Sequence, residues 1–276
     1  MNFIPAVDIL VILLPLAYAW LVGVYGMAFF SANKTAIRIS APSLFSVVLL
    51  HMMYIGLRTA AFDHPPVTTV FEIMTLLAAC IAVAYTYIET RTKSTGTGFF
   101  ILSLALTFQV ISSLFIRDLT DLDPILRSNL LGFHVTSALL GYTAISLSGV
   151  YGFLYLLLYW ELRTSRLGLI YSRLPNLETL EKMSHKAAIF GFAMLSVAIV
   201  VGMFWLPQAF PEFSYFDGKL LGTLAIWVLY AAALGANRAF GWQGRKTVTM
   251  SVVAFGFVVL SMTAINLFGT SFHSFQ

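Results

Sequence analysis

Apolar residues fall into eight long blocks separated by short polar connectors. The longest block runs from Asn129 to Trp160 and holds 32 residues without one Asp, Glu, Lys or Arg. About 20 apolar residues, at a rise of about 1.5 Å each, cross the hydrocarbon core of a bilayer. The block therefore predicts a membrane-spanning helix with length to spare. The other blocks lie at about 9–30, 41–57, 67–88, 98–116, 187–206, 219–236 and 247–270. Pro15 falls inside the first, where neighbouring helices can satisfy the carbonyl it frees. Pro65 and Pro66 precede the third, where proline suits a helix start. The expected fold is all-α: a polytopic integral membrane bundle of eight transmembrane helices, a single domain over 1–276.

Composition agrees with that pattern. The chain is 59% hydrophobic and only 10% charged, with a mean hydropathy of +0.87. A soluble domain carries roughly 25% charged residues. The spans fill the length and leave no room for a soluble domain. The net charge of +4 is spread over short connectors without a basic run, which argues against nucleic acid as a partner. The single cysteine, Cys80, excludes an intramolecular disulfide, a C-x-x-C redox pair and a C-x-x-C-H haem attachment site. The chain is not itself a c-type cytochrome. The first residues, MNFIPAVDIL, lack the basic start of a cleavable signal, so the first span is expected to stay.

Charge in the connectors predicts orientation. With the N-terminus outside, twelve of the sixteen Lys and Arg fall in inner connectors. The positive-inside rule then places both termini outside. The longest inner connector, 161–186, reads ELRTSRLGLIYSRLPNLETLEKMSHK. After Pro175, Asn176 can cap a short interfacial helix carrying Leu177, Leu180 and Met183 on one face, with Glu178 and Lys182 paired at i,i+4. Such a helix is either a plain connector on the membrane or a docking surface for a cytoplasmic partner.

The chemistry rests on five histidines and one acid. His134 lies about one and a half turns inside the fifth span, and His273 lies just past the end of the eighth. Both belong to the same membrane face. Two neutral imidazoles at one depth can axially ligate one haem iron. Taken singly, His134 reads equally well as a satisfied interhelical histidine, and His273 as a tail residue. His51, seven residues before Arg58, sits roughly 10 Å below the outer surface and is either polar glue or a ligand. His64 reads as a solvated loop residue in the sequence DHPP, and His185 as an interface residue at the inner end of the sixth span. The 13-residue spacing of His51 and His64 would suit a haem pair on one helix, but Arg58, Asp63, Pro65 and Pro66 argue that no helix continues so far. Glu72 falls five residues inside the third span. A carboxylate there is protonated, bonds a histidine ring N–H, or reaches back to water.

The stretches LLHMMYIGLRT, HPPVTTVFEIMTLLA, FHVTSALLGYTAISLSGVYGFLYLL, LPNLETLEKMSHKAAIFGFAML and INLFGTSFHSF occur in that order. Through them the chain resembles the cytochrome c assembly protein family, the CcsA/ResC and HemX-like group of haem-handling membrane proteins, over most of residues 48–275. The resemblance implies a bis-histidine, non-covalent b-type haem near the outer surface, with His134 and His273 on the iron. It also implies supporting roles for Glu72, His51 and Tyr142, and ring-covering contacts from Trp205, Phe213, Tyr215 and Phe216. It implies the bacterial inner (plasma) membrane, with the lipid bilayer, haem and a membrane-protein subunit as partners.

Two departures bear on activity. The synthases of this group carry a tryptophan-rich external segment. Here it reads FWLPQAFPEFSYFDGKLLGTLAIW, in which only Trp205, Asp217, Lys219 and Trp227 echo that pattern. Gly235 stands where a second buried histidine is expected, so His51 lacks a partner for a deeper haem. The leading expectation is a haem-binding membrane protein for haem delivery, cytochrome biogenesis or electron transfer. A divergent haem lyase working with a partner, a non-haem structural subunit of a membrane complex, and a HemX-like regulator of tetrapyrrole synthesis are the alternatives. The tetrad GVYG occurs at 23–26 and again at 149–152, a match too short to establish a repeat.

Overall fold

In the computed structural model the described residues are 3–118, 129–165, 168–209 and 218–268; side chains 208–209, 218–219 and 261–268 lie outside the description. Every regular element among them is helical. In order these are α1 (Ile4–Ser31), α2 (Lys34–Phe62), α3 (Val70–Thr92), α4 (Gly98–Phe115), α5 (Asn129–Arg163), α6 (Leu169–Arg173), α7 (Leu177–Ala209), α8 (Gly218–Phe240) and α9 (Arg245–Phe268). Seven of them, α1 to α5, α7 and α8, are long and apolar enough to cross a membrane. The eighth expected block coincides with α9, which has 24 residues.

Local chemistry sets the boundaries. The Asn33 side chain accepts from the Thr35 and Ala36 N–H groups and starts α2, and the Thr69 hydroxyl accepts from Glu72 N–H and starts α3. Ala32, Asp63 and Lys93 close α1, α2 and α3 in the left-handed conformation. The connector after α5 differs from expectation. Asn176 does cap a helix, accepting from Thr179 N–H at 2.8 Å. That helix, however, is α7 itself, unbroken for 33 residues. No Gly or Pro interrupts the chain between Leu177 and Phe190, so nothing stops the helix before it enters its apolar stretch. The short helix of this connector is α6, on the other side of Pro175.

Contacts divide the chain into two compact units, Met1–Arg127 and Ser128–Gln276. In unit 1, α1 packs on α2 and α4, and α3 packs on α2 and α4, which closes a ring of four helices. In unit 2 the corresponding ring is α5, α7, α8 and α9, with the most extensive contact between α5 and α7. The two GVYG tetrads lie on the first helix of each ring. Gly26 packs on Phe99 of α4, and Gly149 and Gly152 pack on Phe255 and Val252 of α9.

Unit 1 is tied across its depth by buried polar groups. At the end where α2 finishes and α3 starts, Arg58 is 1% exposed. Its guanidinium donates to Glu72 Oε1 from Nε at 3.0 Å and Nη2 at 2.9 Å, to Asp118 Oδ1 at 3.0 Å and to the Arg117 carbonyl at 3.0 Å. Glu72 Oε2 accepts from Thr68 N–H at 2.9 Å and from the Thr68 hydroxyl at 2.7 Å. At the opposite end the Tyr25 hydroxyl donates to Glu89 Oε2 at 2.6 Å, joining α1 to α3. Lipid offers buried polar groups no partners, so each of these bonds selects one packing of the ring.

Arg58→Ala is expected to destabilise the protein by about 3–5 kcal/mol, because it leaves the Glu72 carboxylate buried without its cation. The apolar pair Arg58→Met with Glu72→Met should recover most of that loss. Unfolding of detergent-solubilised protein, followed by tryptophan fluorescence, checks both; equal losses for the single and double variants would contradict the ion pair.

Candidate functional site

His134 sits on the first turns of α5 and faces α7. Its Nδ1 lies 2.8 Å from the Ala198 carbonyl oxygen. A carbonyl only accepts, so Nδ1 carries the proton and Nε2 keeps its lone pair. The seat for the ring is Gly202, one turn beyond Ala198. A Cβ at Gly202 would stand 2.9 Å from both Cε1 and Nδ1 of the imidazole. Ala198, Gly202 and Trp205 follow at i, i+4 and i+7, one stripe of α7. Ala198 and Trp205 are buried on that stripe, at 2% and 5% exposure.

The same seam continues down the helix pair. A Cβ at Gly141 would meet Leu195 N at 3.1 Å, and one at Gly191 would meet Ile145 Cγ1 at 2.8 Å and the Gly141 carbonyl at 3.2 Å. Lower still, the Ser184 hydroxyl donates to the Ser148 carbonyl at 2.9 Å. Small residues let the two backbones approach, which is how helices associate where lipid removes the hydrophobic drive. The glycines thus bring the Ala198 carbonyl within reach of an imidazole on the neighbouring helix.

Of the other residues expected at a haem site, Trp205 shares this seam. Tyr142 lies eight residues below His134, roughly 12 Å along the helix. It packs on the core formed by Ile145, Leu195, Ile226 and Tyr230, beside Trp227 and Phe192. His51 and Glu72 belong to unit 1. The Tyr18 hydroxyl reaches His51 Nδ1 at 2.9 Å, and His51 Nε2 lies 3.0 Å from the Thr75 hydroxyl. Thr75 in turn donates to Gln109 Oε1 at 2.7 Å, so its oxygen accepts from Nε2–H. Both ring nitrogens of His51 are taken, and a ring so held offers no lone pair to a metal. Of the three alternatives for Glu72, its carboxylate meets none: it bonds Arg58 and Thr68. His64 is buried at 5% exposure and its Nδ1 donates to the Pro65 carbonyl at 2.9 Å, in place of the solvated ring expected. His185 is half-buried on α7. His273, Phe213, Tyr215 and Phe216 lie outside the described residues.

Sequence reasoning missed three members of these sites. The Ala198 carbonyl is a main-chain atom with no sequence mark. Gly202 had a mark, the small-residue stripe Gly191, Ala198, Gly202 at helical spacing. Arg58 had one too: it stands 14 residues before Glu72 across a proline turn, where two buried opposite charges can meet.

Gly202→Ala is expected to push the His134 ring off its seat, at a cost of about 1–3 kcal/mol for overpacking. In a His134→Ala background the same substitution should cost far less, because the clash has gone. A double-mutant cycle on unfolding free energies checks this; purely additive losses would contradict the contact.

The profile of the family described as "Cytochrome C assembly protein" matches residues 11–273. The chain is 24% identical to the cytochrome c biogenesis protein CcsA of Mesostigma viride, covering 91% of both chains. It is 26% identical to the CcsA protein of Gloeobacter violaceus over 80% of this chain and 82% of that one. It is also 26% identical to the CcsA protein of Parasynechococcus marenigrum over 97% of this chain and 92% of that one. A seam built of spans with the family's sequence running through it, matched nearly end to end, assigns this multi-pass membrane chain to the cytochrome c assembly protein family.

Proposed function

We propose that this protein holds one non-covalent b-type haem and serves cytochrome c biogenesis by haem delivery. His134 Nε2 is one axial ligand in this reading and His273 the second. The observation that carries it is the His134 ring: its Nδ1–H is committed to the Ala198 carbonyl, so its free nitrogen is the one that suits iron. Haem iron supplies two axial positions for such imidazoles. The donor set fits, since a neutral histidine with its other nitrogen hydrogen-bonded is the usual form of a metal-bound imidazole.

The protein's own residues then do defined work. Ala198 fixes the tautomer, Gly202 leaves room for the ring, and Trp205, with Tyr215 and Phe216, supplies aromatic cover. Glu72 supports unit 1 through Arg58. The relatives named above are called cytochrome c biogenesis proteins, and this chain shares their length. Without the tryptophan-rich segment, presentation of an apocytochrome falls to a partner subunit in the membrane. In this reading both termini lie on the outer face of a bacterial plasma membrane, an orientation that the basic connectors support.

Expressed in haem-replete cells and purified, the wild-type protein is expected to show a Soret band and the spectrum of a low-spin iron. His134→Ala should lose that spectrum, and Gly202→Ala should weaken haem retention by about 10–100-fold, as removal of a supporting partner does at other metal sites. His51→Leu should keep the haem content unchanged. A wild-type protein without a Soret band, or a spectrum indifferent to His134→Ala, would overturn the reading.

A further inference from the structure

The end of unit 2 formed by the last turns of α5, by α6, and by the α8–α9 turn carries three exposed cations that form no ion pair with its carboxylates among the described residues. Glu161 Oε2 accepts from the Tyr171 N–H at 2.8 Å. Glu181 Oε1 accepts from the Gly244 N–H at 2.5 Å. Both acids thus pin the main chain of the two connectors. Arg163, Arg245 and Lys246 are exposed and make no ion pair among the described residues.

Each of the three cations lies over an aromatic ring instead. Arg163 Cζ stands 5.8 Å from the centre of the Trp160 ring, Arg245 Cζ 5.6 Å from Tyr159, and Lys246 Nζ 5.5 Å from Trp242. Trp160 is 55% exposed. Tryptophan and tyrosine rings settle at the headgroup level of a bilayer, where an apolar body meets a wet, polar edge. Rings at that level hold their cations at the depth of the lipid phosphates. A cation–π contact orients a cation while leaving its N–H donors free for an anion.

We propose that this face of unit 2 is a binding surface for the diester phosphates of anionic phospholipids, with Arg163, Arg245 and Lys246 as the donors. The proposal is independent of haem. The preference for anionic lipid arises from three unpaired cations at the helix ends that flank the pinned connectors, and not from a general excess of charge. Unit 1 carries one exposed contact of the same kind, Arg91 Cζ at 5.4 Å from the Tyr87 ring centre, against three on this face.

The test places the purified full-length protein in bilayers doped with spin-labelled phosphatidylglycerol or spin-labelled phosphatidylcholine. Electron spin resonance reads the motionally restricted fraction of each lipid. The wild type should restrict phosphatidylglycerol preferentially, and raising NaCl from about 0.05 to 0.5 M should erase the preference, because surface charge is screened. Each cation near an anionic surface is worth about a fivefold change in partition, so Arg163→Gln, Arg245→Gln and Lys246→Gln together should lower the preference at least about tenfold. Lys34→Gln with Arg38→Gln, exposed cations of unit 1 that stand over no ring among the described residues, should lower it much less. Equal restriction of the two lipids by the wild type, a preference that survives high salt, or an equal effect of the unit 1 pair would overturn the proposal. The salt series needs no variant, so a misfolded triple variant does not rescue it.

Discussion

The close approach of α5 and α7 governs the candidate site. Gly141, Gly191 and Gly202 remove the side chains that would hold the two backbones apart. Only at that separation does the imidazole of His134 reach the Ala198 carbonyl. Burial in lipid raises the stakes, because a polar ring without a partner there is costly. The bond is thus both a packing device and a chemical one. It locks the ring to one tautomer, and the tautomer decides which nitrogen remains basic.

His51 and His134, two of the histidines placed in spans, illustrate opposite solutions to the same problem. His51 is satisfied on both nitrogens, by Tyr18 and Thr75, and the Thr75 hydroxyl passes the bond on to Gln109. It holds α1, α2, α3 and α4 together and has nothing left to offer a ligand. Among the described residues His134 is satisfied on one nitrogen only. Charge follows the same logic at Arg58, whose buried guanidinium makes four hydrogen bonds and so acts as a tie within unit 1. A histidine in a membrane helix becomes a ligand candidate through what its neighbours leave unbonded, and identity alone does not distinguish the two cases.

Much of this was legible in the sequence. Blocks of about 20 apolar residues state their own conformation, since lipid permits few alternatives to the helix. The resemblance carried by FHVTSALLGY and FHSF pointed to the family, and Asn176 announced a helix start. What was not legible came from pairs distant in the chain. The Ala198 carbonyl 64 residues from His134 has no letter of its own. The partner of Glu72 was visible as Arg58 but required the α2–α3 turn to bring them together. The burial of His64 was hidden for a related reason: a polar loop residue reads as solvated until the Pro65 carbonyl is seen to accept its proton. The connector helix was misjudged because an interfacial amphipathic turn and the opening turns of a span have the same period.

The central claim is that α7 sets the protonation pattern of the His134 ring before any ligand arrives. Nitrogen-15 NMR of haem-free, histidine-labelled protein, assigned with a His134→Gln control, tests it most directly. The claim predicts a neutral ring with a protonated Nδ1 and a bare Nε2. A resonance pair showing the proton on Nε2, or fast averaging between the two nitrogens, would contradict it.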